Sequence, residues 1–278
     1  MDTFEIKMYF KVKAMIKMVE LFSGIGAQAS ALERLNIPHQ SVISEINPQA
    51  YSAYCAIHGP TDNIGDITKV EHLPECDILT YSPPCQDISI AGKGAGLVEG
   101  SQTRSSLIWE VERLLKDCKE MGRLPEVLVM ENVDAILNKR YRPHLERFII
   151  QLNKLGYDSS YTVLNSKDFG VPQNRSRFYM VSALKKHYIF PNSKPLNICL
   201  KDVLEKNVDE SYYLTEEKIK YFTRRNNQSK EVSIVGSLNI YKFEQSSRVY
   251  GIQGISPTIC TAVGSDHIPK IEVTDYDR

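Results

Sequence analysis

Residues 19–29 read V-E-L-F-S-G-I-G-A-Q-A, an apolar strand that ends in Phe22 and turns through Gly24 and Gly26 into a helix. Glycines at such a turn permit a tight bend and close backbone approach to a ligand at the helix N-terminus. Glu45 follows at the tip of the next strand, where a carboxylate is placed to accept both hydroxyls of a ribose. The pattern predicts an adenosine-containing ligand. Gly24-x-Gly26-x-x-Ala29 also fits a dinucleotide fingerprint, and a glycine turn beside a solvated glutamate requires no ligand at all. Asp66, in G-D-I-T, either caps a helix or binds an adenine amino group.

Outward from this turn, short apolar runs alternate with amphipathic helical stretches. Strand-like runs fall at 18–22, 41–44, 77–81, 127–130, 161–164 and 178–182. Between them Leu107, Val111, Leu114, Leu115 and Cys118 recur at helical spacing, as do Leu145, Phe148, Ile149, Leu152 and Leu155, two stripes that face a core. The rhythm predicts an α/β fold with a doubly wound, Rossmann-like sheet. Near Lys185 the texture turns polar and less periodic, which divides the chain into an extension at 1–17, a core domain at 18–185 and a smaller domain at 186–278.

Lys plus Arg and Asp plus Glu both number 34, so the formal charge is zero over 278 residues. That balance argues against a uniformly basic nucleic-acid coat, while leaving room for a local basic face. The six cysteines include no C-x-x-C pair and no Cys/His cluster at zinc spacing, so neither a disulfide framework nor a metal site is expected. Lysines interrupt the apolar residues of the N-terminus too often for a signal peptide, and no run is long enough to span a bilayer. A reducing, cytoplasmic setting is expected.

One cysteine stands apart. Cys55, Cys76, Cys118 and Cys199 read as small buried hydrophobes and Cys260 stays unassigned. Cys85 instead follows the run at 77–81 and two prolines, in S-P-P-C-Q at 82–86. Open α/β sheets bind ligands at the carboxyl ends of their strands, and prolines there stiffen the loop and fix the direction of the next side chain. A nucleophilic thiol needs an acid or base and a polarising group nearby in space. Glu131, in E-N-V, ends the run at 127–130, where partial desolvation favours the protonated acid. Arg175 and Arg177, in Q-N-R-S-R, precede the run at 178–182, so that Arg177 or Arg175 is placed to reach the same crevice, although a surface salt bridge is the ordinary fate of any one such residue.

With these motifs in order, the chain resembles the DNA (cytosine-5)-methyltransferases of the bacterial and phage restriction-modification type. F-S-G-I-G resembles their cofactor loop, P-P-C-Q their cysteine motif, E-N-V their glutamate motif, Q-N-R-S-R their arginine motif and T-R-S-S-L-I-W-E-V at 103–111 a further block. The resemblance covers 19–184 strongly and 248–271 more weakly. It implies transfer of a methyl group from S-adenosyl-L-methionine to C5 of cytosine in a short duplex DNA site, without a metal.

By that resemblance Cys85 attacks C6 of a flipped cytosine, Glu131 donates a proton to N3, Arg177 holds O2 and Arg175 supports the loop or a phosphate. Phe22, Gly24, Gly26, Glu45, Ile46, Asp66, Ile67, Pro84 and Leu107 would form the cofactor pocket. Gln86, Ser89, Arg248 and Thr258 would meet DNA, with Lys242, Arg224 and Arg225 as further candidates that read equally as solvated surface charge. The segment 86–105 resembles the family's closing loop, and its glycines at 92, 94, 96 and 100 would give it the freedom to move.

The family pattern continues through an R-x-x-T-P-x-E-like motif and a Gly-Asn-Ser/Ala segment, neither of which occurs after Ile271. A fragment, an enzyme completed by a second polypeptide and an interrupted gene product each account for this, and a cognate restriction endonuclease is a further expected partner. Three other readings compete. An RNA cytosine-5 methyltransferase would carry Cys-Phe-Thr where this chain has Ile259-Cys260-Thr261. A DNA-binding remnant would not need Cys85, Glu131 and Arg177 together. An NAD-dependent oxidoreductase explains the glycine turn alone.

Overall fold

A computed structural model describes residues 14–84, 107–225, 231–241, 244–259 and 268–273 of the chain. Cys85, Gln86, Ser89, Lys242 and Cys260 lie outside the described residues. The chain forms two compact units, Met1–Val163 with Arg177–Pro191, and Leu164–Ser176 with Asn192–Arg278.

The first unit is built on β1 (Ile16–Leu21), α1 (Ala27–Arg34), β2 (His39–Ser44), α2 (Pro48–His58), β3 (Asp62–Asn63), β4 (Ile78–Tyr81), α3 (Ile108–Glu120), β5 (Val127–Asn132), α4 (Arg142–Leu155), β6 (Asp158–Asn165) and β7 (Ser176–Ala183). Its seven strands are ordered β3-β2-β1-β4-β5-β7-β6. The pairs β3–β2, β2–β1, β1–β4 and β4–β5 are parallel, and β7 runs antiparallel to β5. The chain winds outward from β1 to β3 on one side and restarts at β4 on the other. The carboxyl ends of β1 and β4 therefore flank the switch point, where such sheets open a crevice.

Period-two alternation distributes the strand residues over two faces. Val19 and Leu21 of β1, Leu79 and Tyr81 of β4, and Leu128 and Met130 of β5 pack with α3 and α4. Ile16 and Met18 of β1, Ile43 of β2 and Ile78 of β4 pack with Ala29 and Leu32 of α1 and Tyr54 of α2. Helices thus cover both faces, the doubly wound arrangement expected from the alternating pattern. Leu114, Leu115, Phe148 and Leu152 are fully buried, which makes the two helical stripes core contacts.

Several expectations need correction. β1 begins at Ile16, so the last two residues of the expected extension belong to the sheet. Cys76 and Cys118 are buried, but Cys55 and Cys199 are only half-buried. Tyr54 is the buried residue of α2, which leaves Cys55 outside the core, and Cys199 precedes a single 3-10 turn at Leu200–Val203. Burial pushes the Cys76 thiol up to about 12, far from a reactive thiolate.

The second unit holds short 3-10 turns, α5 (Glu216–Ile219), α6 (Glu244–Ser247) and a sheet of β8 (Thr223–Arg224), β9 (Ile234–Ser237), β10 (Arg248–Gly251) and β11 (Lys270–Glu272), ordered β11-β10-β9-β8. The segment Leu164–Ser176 groups with this unit rather than with the first. Its backbone explains why: Asn174 N donates to the Ser256 carbonyl and Ser256 N to the Pro172 carbonyl, each at 2.8 Å. The chain therefore passes between the units three times, where the sequence pattern placed one boundary near Lys185.

Candidate active site

The glycine turn leaves β1 through a strained residue. Phe22 has φ 59°, a left-handed value uncommon for a residue with a side chain, and its N–H donates to the Ser44 carbonyl at 2.9 Å. Gly24 and Gly26 follow at φ 57° and 81°, and Gly26 starts α1. A Cβ at Gly24 would meet nothing within 4 Å, so the missing side chain leaves open space over the turn.

Glu45 is drawn to this turn. Its Oε2 accepts the Gly24 N–H at 2.9 Å and its Oε1 accepts the Asn47 N–H at 2.7 Å. Each oxygen keeps a second lone-pair direction, so the carboxylate still has capacity for a diol. Asn63, overlooked in the sequence, fixes Glu45 from behind: its Oδ1 accepts the Glu45 N–H at 3.1 Å and its Nδ2 donates to the Glu45 carbonyl at 2.9 Å. Ile46 beside it is 74% exposed, an apolar side chain presented to solvent next to a polar one. Those features fit an adenosine: a carboxylate for the ribose, an apolar surface for the base and a turn without side chains.

Asp66 caps the 3-10 turn Ile67–Lys69. Its Oδ1 accepts both the Thr68 N–H at 3.0 Å and the Thr68 hydroxyl at 2.8 Å, bonds that hold its carboxyl below the ordinary aspartate value. The Ile67 side chain is buried in the core. The Ile67 carbonyl is engaged as well, accepting from Arg113 Nη2 at 3.2 Å. Pro84 and Leu107, both half-buried, are the last and first described residues on either side of 85–106.

Next to β4 the sheet assembles the charged pair. Glu131 lies in β5 and Arg177 in β7, and because β7 is antiparallel its start meets the carboxyl end of β5, with Asn132 opposite Phe178. Arg177 Nε stands 3.1 Å from Glu131 Oε1, with the two side chains 19% and 25% exposed. Asn132 ties this edge to the proline loop: it is buried, and its Nδ2 donates to the Pro83 carbonyl at 3.1 Å. Its Oδ1 accepts the Val133 N–H at 2.9 Å. Two residues after Pro83 comes Cys85.

Asn132 joins the strand end to the proline loop, a contact that sequence reasoning missed although the amide inside E-N-V was its signal. Asn132→Ala leaves the buried Pro83 carbonyl without its donor, and should lower stability by about 1–3 kcal/mol in denaturant titration.

The remaining expected site residues lie in the second unit. Thr258 Oγ1 donates to the Asn174 carbonyl at 2.6 Å, and Arg175 Nη1 donates to the Ile259 carbonyl at 3.4 Å. The arginine motif and the S-P-T segment are therefore joined there, with Arg175 supporting a loop. Arg248 is clamped by Glu244, Nη2 to Oε2 at 2.6 Å; Arg225 also meets Glu244, and Arg224 pairs with Glu272. These cations are already matched by carboxylates. Among the described residues no cluster of His, Cys, Asp or Glu is arranged to hold a metal, and no helix is long and apolar enough to cross a membrane.

Comparison with known proteins agrees with this architecture. The profile of the C-5 cytosine-specific DNA methylases matches residues 16–274. The type II methyltransferase M2.ScrFI of Lactococcus lactis subsp. cremoris is 34% identical over 263 residues, 74% of this chain and 72% of that protein. The orphan methyltransferase M.SPRI of Bacillus phage SPR is 32% identical, over 90% of this chain and 64% of its own length. Among solved structures, the S. pombe Dnmt2 methyltransferase shares the fold with a TM-score of 0.64 at 21% identity, over 95% of this chain and 77% of that one. The sheet order, the motifs on its carboxyl edge and these matches lead to one assignment: the chain belongs to the C-5 cytosine-specific DNA methylase family, the DNA cytosine-5-methyltransferases.

Proposed function

We propose that this protein transfers a methyl group from S-adenosyl-L-methionine to C5 of a cytosine in a specific short duplex DNA sequence, on a base flipped out of the helix and held covalently by Cys85. The observation that carries the reading is the Glu131–Arg177 pair at the carboxyl edge of β5 and β7, tied through Asn132 to the loop that leads into Cys85. Cytosine presents N3 and O2 side by side on one edge. Glu131 and Arg177 present an acid and a cation side by side.

The Cys85 thiolate adds to C6, forming a C–S bond and moving the C5–C6 π electrons toward C5. Glu131, which takes up a proton from solvent as Arg177 turns from it to donate to O2, gives that proton to N3 and so makes C5 nucleophilic, and Arg177 pairs again with the carboxylate that the transfer leaves. Phe22, Glu45, Ile46 and Asp66 hold the adenosine, with Gly24 leaving room for it. S-adenosyl-L-methionine, when bound, supplies the methyl group as an electrophilic carbon on a sulfonium. The methylated base then gives up its C5 proton to a solvent base, returns the N3 proton to the Glu131 carboxylate and expels Cys85 as thiolate, which breaks the C–S bond and restores the ring. Thr258 and Arg175 of the second unit would contact the DNA backbone.

The test is transfer of a labelled methyl group to mixed-sequence duplex DNA and to bulk RNA, followed by nucleoside analysis. Label on C5 of cytosine within one short DNA motif is expected. Label confined to RNA, or none from folded protein that binds S-adenosyl-L-methionine, would overturn the reading.

A further inference from the structure

The turn from Phe22 to Gly26 is held from behind by a polar cluster that the chemistry above does not use. His58, in the last turn of α2, has an acceptor at each ring nitrogen: Nδ1 lies 2.8 Å from Glu33 Oε1, and Nε2 lies 3.1 Å from the carbonyl oxygen of Ile25. A neutral imidazole carries one N–H and satisfies one of these acceptors. The imidazolium satisfies both.

His58 is enclosed, with its side chain 4% exposed. Glu33 faces it from α1, Tyr54 from its own helix at a ring separation of 4.6 Å, and Glu20 from β1 through Tyr54, whose hydroxyl donates to the Glu20 carboxyl. His39 of β2 and Asp62 of β3 line the same cavity of about 280 Å³. Glu20 is fully buried, its second oxygen has no partner, and burial holds its carboxyl above the ordinary value despite the Tyr54 bond. Burial by itself would push His58 down. The bonds to Glu33 and Ile25, with the charge of Glu33 and Glu20, override that and hold it above the ordinary histidine value.

We propose that His58 is a positioning residue for the methyl donor: as the imidazolium it bridges Ile25 of the glycine turn to Glu33 of α1, fixing the turn in the shape that binds S-adenosyl-L-methionine. The inference rests on the reading that this turn is the donor site. Because the folded protein raises the imidazole pKa, the bridge is complete below about pH 6.5 and is lost as pH rises through the raised value. Donor affinity falls with it.

The experiment is equilibrium dialysis of labelled S-adenosyl-L-methionine against the full chain from pH 6 to pH 9, for wild type, His58→Gln and Glu33→Gln. At pH 6, His58→Gln is expected to bind about tenfold more weakly than wild type, the scale of one lost hydrogen bond to a charged group, and the gap should close toward pH 9. Glu33→Gln removes the carboxylate that raises the imidazole, so its affinity should fall at lower pH than wild type. The ligand's own amino group titrates alike in every sample, so differences between profiles are the readout.

Superimposable profiles for wild type and His58→Gln would overturn the role of His58 while leaving the donor site in place. If His58→Gln does not fold, the Glu33→Gln profile decides, and a midpoint unchanged from wild type overturns the proposal. Wild type that is folded yet binds no donor at any pH overturns the donor site, and this inference with it.

Discussion

Cys85→Ala and Glu131→Gln are each expected to reduce methyl transfer by about 10³-fold or more while S-adenosyl-L-methionine still binds. C5 of cytosine is a poor nucleophile until a thiolate has added at C6, and that addition places negative charge on the ring unless N3 is protonated as it forms. In the proposed mechanism the two groups therefore act on one transition state. Glutamine keeps the size and hydrogen-bonding edge of Glu131 but has no acidic proton to give. The double variant should be hardly slower than the slower single one, because groups that act as a unit are not additive. Single-turnover rates with saturating donor and DNA check this, alongside donor affinity by dialysis. If Glu131→Gln retains more than about a tenth of the wild-type rate, Glu131 is not the acid, since a positioned acid contributes about 10²–10⁴-fold.

The strands and the glycine turn were legible because they depend on local pattern. Alternation in V-E-L-F puts Val19 and Leu21 on one face and Glu20 on the other, and Gly24 and Gly26 do take the left-handed values that a tight turn needs. The meeting of Glu131 with Arg177 was only half legible. Each stands at a strand end in the sequence, but their contact depends on β7 running antiparallel beside β5, which the alternating strand–helix pattern does not specify. The grouping of Leu164–Ser176 with the second unit rests on Asn174 bonding to Ser256, a partner some 80 positions away with no periodic signal. The pairing of Arg248 with Glu244 is local: the two stand four residues apart, an i,i+4 spacing visible in the sequence. His58 and Tyr54 carry no signal in the sequence, because their approach to Gly26 exists only once α2 has packed beside β1.

Gly26→Ala and Gly24→Ala should separate the two tasks that the turn performs. At Gly26 a methyl group would come within 2.4 Å of His58 Nε2 and 2.6 Å of Tyr54 Cε2. Neither neighbour is a free end: Tyr54 is fully buried and bonded to Glu20, and His58 is fixed between Glu33 and Ile25. The left-handed backbone costs about 1–2 kcal/mol for an L side chain, and overpacking adds about 1–3 kcal/mol. Gly26→Ala should therefore lower Tm by about 5–15 °C and weaken donor binding through the distorted turn. Gly24 has the same handedness, with φ 57°, but open space where its Cβ would stand. Its alanine variant bears the backbone cost alone, so Tm should fall by less than half as much, while the methyl group occupies the room assigned to the adenosine and donor affinity drops by about 10²-fold or more, as a steric block in a fitted site should produce. Thermal melts and dialysis on the same samples give both quantities. If Gly24→Ala melts near wild type and binds S-adenosyl-L-methionine as tightly, the open space above the turn is not where the donor sits, and the cradle at the end of β1 must be reassigned.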